Sequence, residues 1–209
     1  MKKYLAYILG LIVLSLILIG SFYKYKENKA LSGNQYETGG SQIYKSNGST
    51  FQKYWNEDFG ISFSYKIDPE GYALIEQTPS ALDSNKDIEK SISLFYKNEY
   101  EEYKKSSVPR ELPRSISIRI FKNAKNLSAQ EWINNNSAVA NYRPSGIRPE
   151  SVSFGGVSGV RYSASGLYQN EVVVLNNNYK IYIFAVEYDS PNEPIRNDFQ
   201  NLLNSLVMF

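Results

Sequence analysis

The sequence predicts an α+β fold, in which one antiparallel sheet carries packed helices, preceded by a single transmembrane helix. Residues 4–23 form a run of twenty residues without a charge or a proline. Several later segments alternate apolar and polar side chains with the period of two that half-buried strands show. Two other segments carry helix start signals and an apolar stripe. Strands joined by hairpins and interrupted by helices are typical of an α+β sandwich.

The apolar run at residues 4–23 predicts a membrane helix. Twenty helical residues at about 1.5 Å each span roughly 30 Å, which is the hydrocarbon thickness of a bilayer. Aromatic side chains at both ends suit the two membrane–water interfaces. The side chains expected to anchor the chain in lipid are Tyr4, Leu11, Leu14, Leu18, Phe22 and Tyr23.

This helix is expected to stay attached to the protein. It is longer than the 7–15 apolar residues that are usual in a cleaved secretory signal, and no small-x-small site follows it. Cysteine is absent, which excludes a lipid anchor on that residue, and the run lacks the glutamate of a type IV pilin leader. We therefore expect a retained, single-pass signal anchor in the cell membrane.

The orientation rests on the flanking lysines and on the length of the following chain. Two lysines precede the helix and three follow it closely, so the count alone slightly disfavours export. Long C-terminal domains translocate largely regardless of such charges. We expect residues 1–3 to form a cytoplasmic stub and the C-terminal domain to lie outside the cytoplasm.

Composition excludes several function classes. Two of the 23 basic residues precede the membrane run, which leaves 21 basic against 21 acidic residues beyond it. This balance provides no electrostatic footprint for nucleic acid. The chain has no histidine and no cysteine, so Ser-His-Asp and Cys-His catalysis, disulfides and Cys/His metal sites are impossible. No cofactor is expected.

Residues 24–50 are rich in Gly, Ser, Asn, Gln and Lys and predict a flexible linker. Residues 51–209 then predict one extracytoplasmic domain. Gly155-Gly156 and Asn176–Asn178 suit tight hairpin turns. The strongest strand pattern is YKIYIFAVEY at residues 179–188. The other predicted strands cover residues 51–55, 59–65, 72–77, 91–97, 115–121, 151–154, 157–164 and 171–175, with a short one at 207–209.

Helices are predicted at two main places. Ser128 and Glu131 form an S-x-x-E capping box, which predicts a helix from Ala129. Pro194 suits a first helical turn, and residues 195–206 have an apolar stripe. A charged segment at residues 98–114 interrupts the strands and holds a helix-favouring pair, Glu101 and Lys105.

These segments resemble a known group of domains. The motifs are FGISFSY at residues 59–65 with PEGY at 69–72, NLSAQEWI at 126–133, GGVSGVRY at 155–162 and FQNLLNSL at 199–206. They are similar to PsbP/Mog1-like α/β/α sandwich domains found behind signal anchors in bacterial surface proteins. Tyr72 stands where many such domains have tryptophan. The resemblance implies a non-catalytic binding or assembly module over about residues 51–209 and supplies no catalytic residues.

Two groups of residues could form a ligand site, the acidic residues near Glu101 and the tyrosines. The acidic residues near Glu101 are interleaved with lysines and lack a D-x-D-x-D-G loop, so a solvated helix is favoured over a calcium site. Eighteen tyrosines suggest a binding surface, since tyrosine combines a flat apolar ring with a polar tip. The expected exposed, ligand-contacting tyrosines are Tyr96, Tyr100, Tyr103, Tyr142, Tyr168 and Tyr179.

The leading hypothesis is a membrane-tethered, non-catalytic binding or scaffold domain that contacts a protein or an envelope polymer. A second hypothesis is a cell-envelope hydrolase that uses paired carboxylates, since this chemistry needs no histidine. A third is a structural subunit of a membrane complex. No catalytic residue and no metal ligand is predicted.

Overall fold

Two antiparallel sheets and three helices make up the described part of the chain. The computed structural model describes residues 42–77, 87–143, 148–165 and 168–209, which all belong to one unit. In chain order the elements are β1 Gln42–Ser46, β2 Ser49–Asn56, β3 Ile61–Asp68, β4 Tyr72–Gln77, β5 Ile88–Tyr96, α1 Lys97–Lys105, β6 Ser115–Lys122, α2 Ala129–Asn135, β7 Glu150–Phe154, β8 Val157–Ser165, β9 Gln169–Asn177, β10 Lys180–Tyr188, α3 Pro194–Asn204 and β11 Val207–Met208.

The strands divide into a four-stranded sheet of order β1-β2-β3-β11 and a seven-stranded sheet of order β4-β5-β6-β10-β9-β8-β7. Every pairing is antiparallel. The α+β class is therefore confirmed, whereas the prediction of a single sheet is wrong. β3 pairs with β2 on one edge and with β11 on the other, so β4 pairs only with β5 and begins a second sheet.

The seven-stranded sheet separates two hydrophobic cores. On one face, Phe184 and Val186 of β10 pack with Phe63 of β3 and with Phe199 and Leu203 of α3. The alternate residues of β10 point to the other face, where they meet α2 and the segment that follows it. Because successive side chains of a strand point to opposite faces, the apolar run of β10 supplies both cores, as expected of a central strand.

Structure begins earlier than the sequence predicts. The composition of residues 42–50 predicts a flexible linker, but Gln42–Ser46 forms β1 and pairs with β2. Asn47 and Gly48 both have positive φ and connect the two strands. An Asn-Gly pair is a strong hairpin signal because both residues of a type I′ turn need positive φ. The Asn47-Gly48 pair therefore marks a hairpin within a segment whose polar composition is typical of a linker.

The β9–β10 hairpin turns one residue later than predicted. Its central residues are Asn178 and Tyr179, with φ of 48° and 61°. Asparagine tolerates the left-handed region, but a tyrosine there is strained. The Tyr179 carbonyl accepts a hydrogen bond from the Asn123 backbone N–H at 2.7 Å, and its side chain is 64% exposed. Burial of the Tyr179 ring therefore does not offset the backbone strain at this residue.

Replacing Tyr179 with Gly is expected to stabilise the fold by about 1 kcal/mol, since glycine adopts positive φ freely and keeps the carbonyl that Asn123 contacts. Urea unfolding of the full chain in mild detergent measures this. Asn178→Gly is the matched control and should change stability less, because asparagine already tolerates this conformation. A loss of stability in the Tyr179 variant would contradict the turn assignment.

The predicted helix signals are confirmed. The Ser128 side chain accepts from the Glu131 backbone N–H, and the Glu131 side chain accepts from the Ser128 backbone N–H, so the capping box opens α2. Pro194 occupies the first turn of α3. Ahead of it, the Glu193 carboxylate accepts from Nη1 of Arg114 at 2.8 and 2.7 Å, which links the start of α3 to the residue that precedes β6.

One carboxylate is buried beside α3. Glu171 of β9 is 5% exposed and pairs with Arg161 of β8 and with Arg196 of α3. Nη2 of Arg196 donates to Oε2 of Glu171 at 2.8 Å. The Arg196 guanidinium also lies over the Tyr188 ring, 4.6 Å from its centroid. Glu171 therefore joins the sheet to α3 through charge-assisted hydrogen bonds.

The predicted membrane helix at residues 4–23, the stub at 1–3 and linker residues 24–41 lie outside the described residues. So do the expected anchoring side chains Tyr4, Leu11, Leu14, Leu18, Phe22 and Tyr23. Within the ranges that the structure describes, no helix is long and apolar enough to cross a membrane.

Candidate ligand-binding site

A polar strip lies on the face of the seven-stranded sheet that carries α2. Ser93 pairs with Ser117, and Ser91 pairs with Arg119, so these side chains share one face. All are half-buried. We name the strip the serine floor and define it by Ser91, Ser93, Ser115, Ser117, Arg119 and Glu187.

The sequence builds the serine floor by alternation. In β5 and β6, Ile and Leu occupy one face and belong to the core shared with α3. The intervening positions hold two serines in each strand, followed by Phe95 in β5 and Arg119 in β6, as the letters SISLF at residues 91–95 and SISIR at 115–119 show. Serine is short, so two adjacent strands with serines on the same face leave a low, hydroxyl-bearing surface between bulkier neighbours.

Those neighbours are the two helices on this face. α1 lies against β4 and β5, and α2 lies against β8 and β9. Phe95, the cross-strand partner of Ser115, stacks on Tyr100 of α1 with 5.0 Å between ring centroids. On the other side, Tyr162 and Trp132 belong to the core under α2. The serine floor thus occupies the strip of β5, β6 and β10 between the two helices.

Arg119 is the positive group of the serine floor. Burial lowers the pKa of Arg119 from its usual value, and the nearby Tyr162 and Glu187 oppose this shift only in part. The guanidinium lies 5.9 Å from the centroid of the Phe121 ring. It forms no ion pair with any residue that the structure describes. The fold therefore keeps this charge partly desolvated without a paired carboxylate.

Glu187 is the negative group. Burial raises the pKa of Glu187, while the Ser115 backbone N–H and the charge of Arg119 act in the opposite direction without cancelling the effect. Both charges of the serine floor are consequently held at a net cost in free energy. Groups that a fold keeps at such a cost are more frequent at functional sites than elsewhere.

Replacing Glu187 with Gln is expected to stabilise the protein at pH 7 by roughly 0.5–1 kcal/mol, since the amide avoids partial burial of a charge and solvent screening limits the gain. A raised folded-state pKa means that the carboxylate destabilises the fold above that pKa. The gain should shrink as pH falls through the raised pKa and vanish below the ordinary carboxyl value. Urea unfolding at several pH values tests this, and a gain that is independent of pH would contradict it.

The predicted tyrosines do not form one surface. Tyr100 and Tyr103 of α1 lie together, with ring centroids 6.3 Å apart. Phe95 and Lys104 also contact the Tyr100 ring, so its faces are already occupied. Tyr96 stacks on Tyr72, 4.7 Å away, on the opposite side of the sheet. Of these residues Tyr179 is exposed as predicted, whereas Tyr96, Tyr100, Tyr103 and Tyr168 are half-buried. As ligand contacts, all five remain predictions.

Tyr142 is a correction. The sequence predicts an exposed side chain, but Tyr142 is 7% exposed and belongs to the core beneath α2. Its ring meets the Tyr162 ring edge-on at 5.1 Å, and the Tyr162 hydroxyl donates to the Ala140 carbonyl at 2.6 Å. The segment after α2 therefore folds back over the sheet and buries Tyr142 instead of forming an open loop.

The serine floor was not predicted, although the sequence holds a signal for it. Two neighbouring strands with the same S-I-S alternation indicate a sheet face that is polar but not strongly charged. The pairing of β5 with β6 brings the two serine sets together. Such pairing depends on the sheet order, which the alternation alone does not determine.

A recess beside α3 is structural in character. It is lined by residues that include Phe51, Tyr72 and Asp198. The Tyr72 hydroxyl donates to Oδ2 of Asp198 at 2.8 Å, and burial, reinforced by the charge of Asp198, raises the pKa of Tyr72. Both polar groups are thus satisfied by each other and offer little to a ligand.

Metal binding finds no support in the described ranges. Among residues 42–77, 87–143, 148–165 and 168–209, no group of three or more acidic side chains is placed to hold an ion. The carboxylates near Glu101 lie on α1, where Glu101 pairs with Lys104. The carboxylates of α1 therefore do not compete with the serine floor as a candidate ligand site.

No protein-family model matches the chain, and no curated protein matches its sequence. Among solved structures, cyanobacterial PsbP (CyanoP) from Synechocystis sp. PCC 6803 is similar, with a TM-score of 0.48, 12% identity, 84% of this chain and 100% of that chain covered. A protein from Bacteroides thetaiotaomicron VPI-5482 is also similar, with a TM-score of 0.41, 11% identity, and coverage of 75% of this chain and 48% of that chain. At these TM-scores and identities, neither similarity bears on what this chain does.

Proposed function

We propose that this chain is a membrane-tethered, non-catalytic binding domain that presents the serine floor to an extended polar ligand. The observation that carries the proposal is the pair of half-buried charges, Arg119 and Glu187, among four serine hydroxyls on a strip of sheet between two helices. Hydroxyls donate and accept hydrogen bonds. A ligand with its own mixed donors and acceptors could satisfy this surface.

The net cost of the two charges supports binding over a purely structural role. A structural pair would gain stability from its contact, but burial shifts the pKa of each group toward its neutral form. A ligand that brings an acceptor to Arg119 would offset the cost of desolvation, because hydrogen bonds to charged groups are stronger than neutral ones.

The membrane tether is proposed from the sequence. The uncharged run at residues 4–23 has the length and the aromatic ends of a retained single-pass anchor. We place the C-terminal domain outside the cytoplasm. The ligand is then a protein segment or an envelope polymer, since the balanced charge of the chain beyond the run disfavours nucleic acid.

Binding of the full-length protein to isolated cell envelopes tests this proposal. Replacing Arg119 with Gln should weaken retention about tenfold, which corresponds to the loss of one charge-assisted hydrogen bond of roughly 1.4 kcal/mol. Lys122→Gln is the matched control, because Lys122 ends the same strand and is exposed. That variant should bind as the wild type does.

Stability measured on the same proteins separates a binding defect from a folding defect. The Arg119 variant should be at least as stable as the wild type, since the amide removes a partly desolvated charge. Reduced retention together with unchanged or increased stability supports the serine floor. Equal retention of both variants and the wild type would refute it.

A carboxylate-dependent envelope hydrolase is the second candidate, and the raised pKa of Glu187 favours it, because a general acid needs such a shift. The groups that act on that pKa are Ser115 and Arg119, and no second carboxylate is among them. Glycoside hydrolysis would require one nearby. Release of soluble fragments from envelopes by the wild type, lost on Glu187→Gln, would establish the hydrolase instead.

A further inference from the structure

The outer face of the four-stranded sheet carries large exposed apolar side chains. Trp55 and Val207 both pair with Ser62, from opposite sides, so the three share a face. Trp55 is 38% exposed, Val207 49% and Phe209 50%. The Trp55 and Phe209 rings contact each other, with centroids 6.4 Å apart. We name this surface the Trp55 face and define it by Tyr44, Phe51, Lys53, Trp55, Lys66, Val207 and Phe209.

The Trp55 face combines aromatic rings with positive charge. Tyr44 stacks on Phe51 at 5.5 Å, and Phe51 pairs across the strands with Lys66. Lys53 follows on the same face. Neither lysine forms an ion pair with a described residue. The described acidic side chains near it are Asp68 at the end of β3, Glu57 and Asp58 after β2, and Asp198, which lines a recess together with Phe51 and Lys66 and accepts a hydrogen bond from Tyr72.

This combination matches the interface of a bilayer. Tryptophan and tyrosine concentrate at the level of lipid headgroups, where one end of the ring is apolar and the other is wet. Lysines near an anionic surface each contribute about 1 kcal/mol of attraction. The Trp55 face has both kinds of group on one exposed sheet surface.

The position of the four-stranded sheet in the chain also favours a lipid surface as the partner of the Trp55 face. β1 is an edge strand of the sheet and begins at Gln42. Only 18 residues, 24–41, separate it from the end of the predicted membrane run at residue 23. The flexible linker that the composition of these residues predicts would have a root-mean-square span of about 23 Å. A domain tethered so closely samples the bilayer surface at high effective concentration.

We propose that the Trp55 face docks on the anionic lipid surface of the membrane that holds residues 4–23. This inference rests on the tether of the proposed function. Docking would place β1, β2 and β11 on the lipid, and the seven-stranded sheet, with the serine floor, beyond them.

Tryptophan quenching in full-length protein reconstituted into vesicles tests the docking. The chain has two tryptophans, and Trp132 is only 5% exposed. In vesicles of equal parts phosphatidylcholine and phosphatidylglycerol with brominated acyl chains, emission from Trp55 should drop at least about twofold, because the ring lies at the lipid level. Trp55→Phe leaves only Trp132, and its emission should be unchanged.

Additional measurements distinguish a failure of the docking proposal from a failure of the membrane tether. Flotation with the vesicles after a carbonate wash reports the tether alone. Protein that floats without quenching of Trp55 overturns the docking and leaves the tether standing, whereas protein that does not float overturns both. Full quenching in vesicles of phosphatidylcholine alone refutes the role of Lys53 and Lys66. A dimer in detergent in which acrylamide does not quench the emission of Trp55 would show that a second copy of the chain covers the Trp55 face. That result would refute docking on lipid.

Discussion

Replacing Glu171 with Gln is expected to lower the free energy of unfolding by about 3 kcal/mol, near the lower end of the cost of breaking a buried ion pair. The amide would face two guanidiniums, those of Arg161 and Arg196, with one acceptor oxygen and one donor group. One guanidinium would lose its acceptor. Both arginines are partly exposed, and their contact with water keeps the expected loss from being larger.

Urea unfolding of full-length protein in mild detergent measures this loss. Glu101→Gln is the control, because Glu101 pairs with Lys104 on the exposed surface of α1. That change should cost less than about 0.5 kcal/mol, as is usual for a surface pair. Similar effects of the two variants would show that Glu171 does not join the sheet to α3 as described.

Replacing Gly60 with Ala is expected to lower the free energy of unfolding by about 3 kcal/mol and to detach the C-terminal strand β11. The positive φ of residue 60 accounts for about 1 kcal/mol of this loss, and a steric clash of the new methyl group with Phe209 accounts for the rest. Gly60 has φ of 58°, and an added Cβ would lie 2.2 Å from the Phe209 carbonyl oxygen. The Phe209 backbone N–H donates to the Gly60 carbonyl at 3.0 Å. The alanine methyl group would therefore push Phe209 away and break this hydrogen bond.

Gly156→Ala is the matched control, because it has the positive φ without the steric clash. Gly156 also has positive φ, but no atom lies within 4 Å of the added Cβ. Its substitution should cost only about 1 kcal/mol, the conformational part of the effect. Thermal unfolding of both variants makes the comparison, and hydrogen exchange at Val207 and Met208 should rise in the Gly60 variant alone. Equal costs would mean that β11 is not held at Gly60.

Local signals predicted most elements of the fold. The capping box at Ser128 and Glu131 and the Gly155-Gly156 turn appear in the structure as expected. β4 has the bounds of the strand predicted at residues 72–77. These features depend on side chains close in sequence, whose preferences act through local backbone geometry and capping hydrogen bonds.

Features that depend on distant pairings were not predicted. The short strand β11 pairs with β3, which lies far from it in the sequence. This pairing completes the four-stranded sheet as its edge strand, and no local pattern indicates it. Tyr142 is buried because the segment after α2 folds over β8. The serine floor needs the neighbourhood of β5 and β6. In each case the determining contact joins residues far apart in the chain, and its energy comes from packing that local propensity does not contain.

Site-specific photocrosslinking in the native cell tests the binding role of the serine floor most directly. A photoreactive amino acid is placed at Ser117, and in a second protein at Ser153, which is exposed on the edge strand β7. The account predicts a discrete adduct from position 117, no adduct from position 153, and loss of the first adduct on adding Arg119→Gln. Equal adducts from both positions, no adduct from position 117, or an adduct that persists with Arg119→Gln would contradict it.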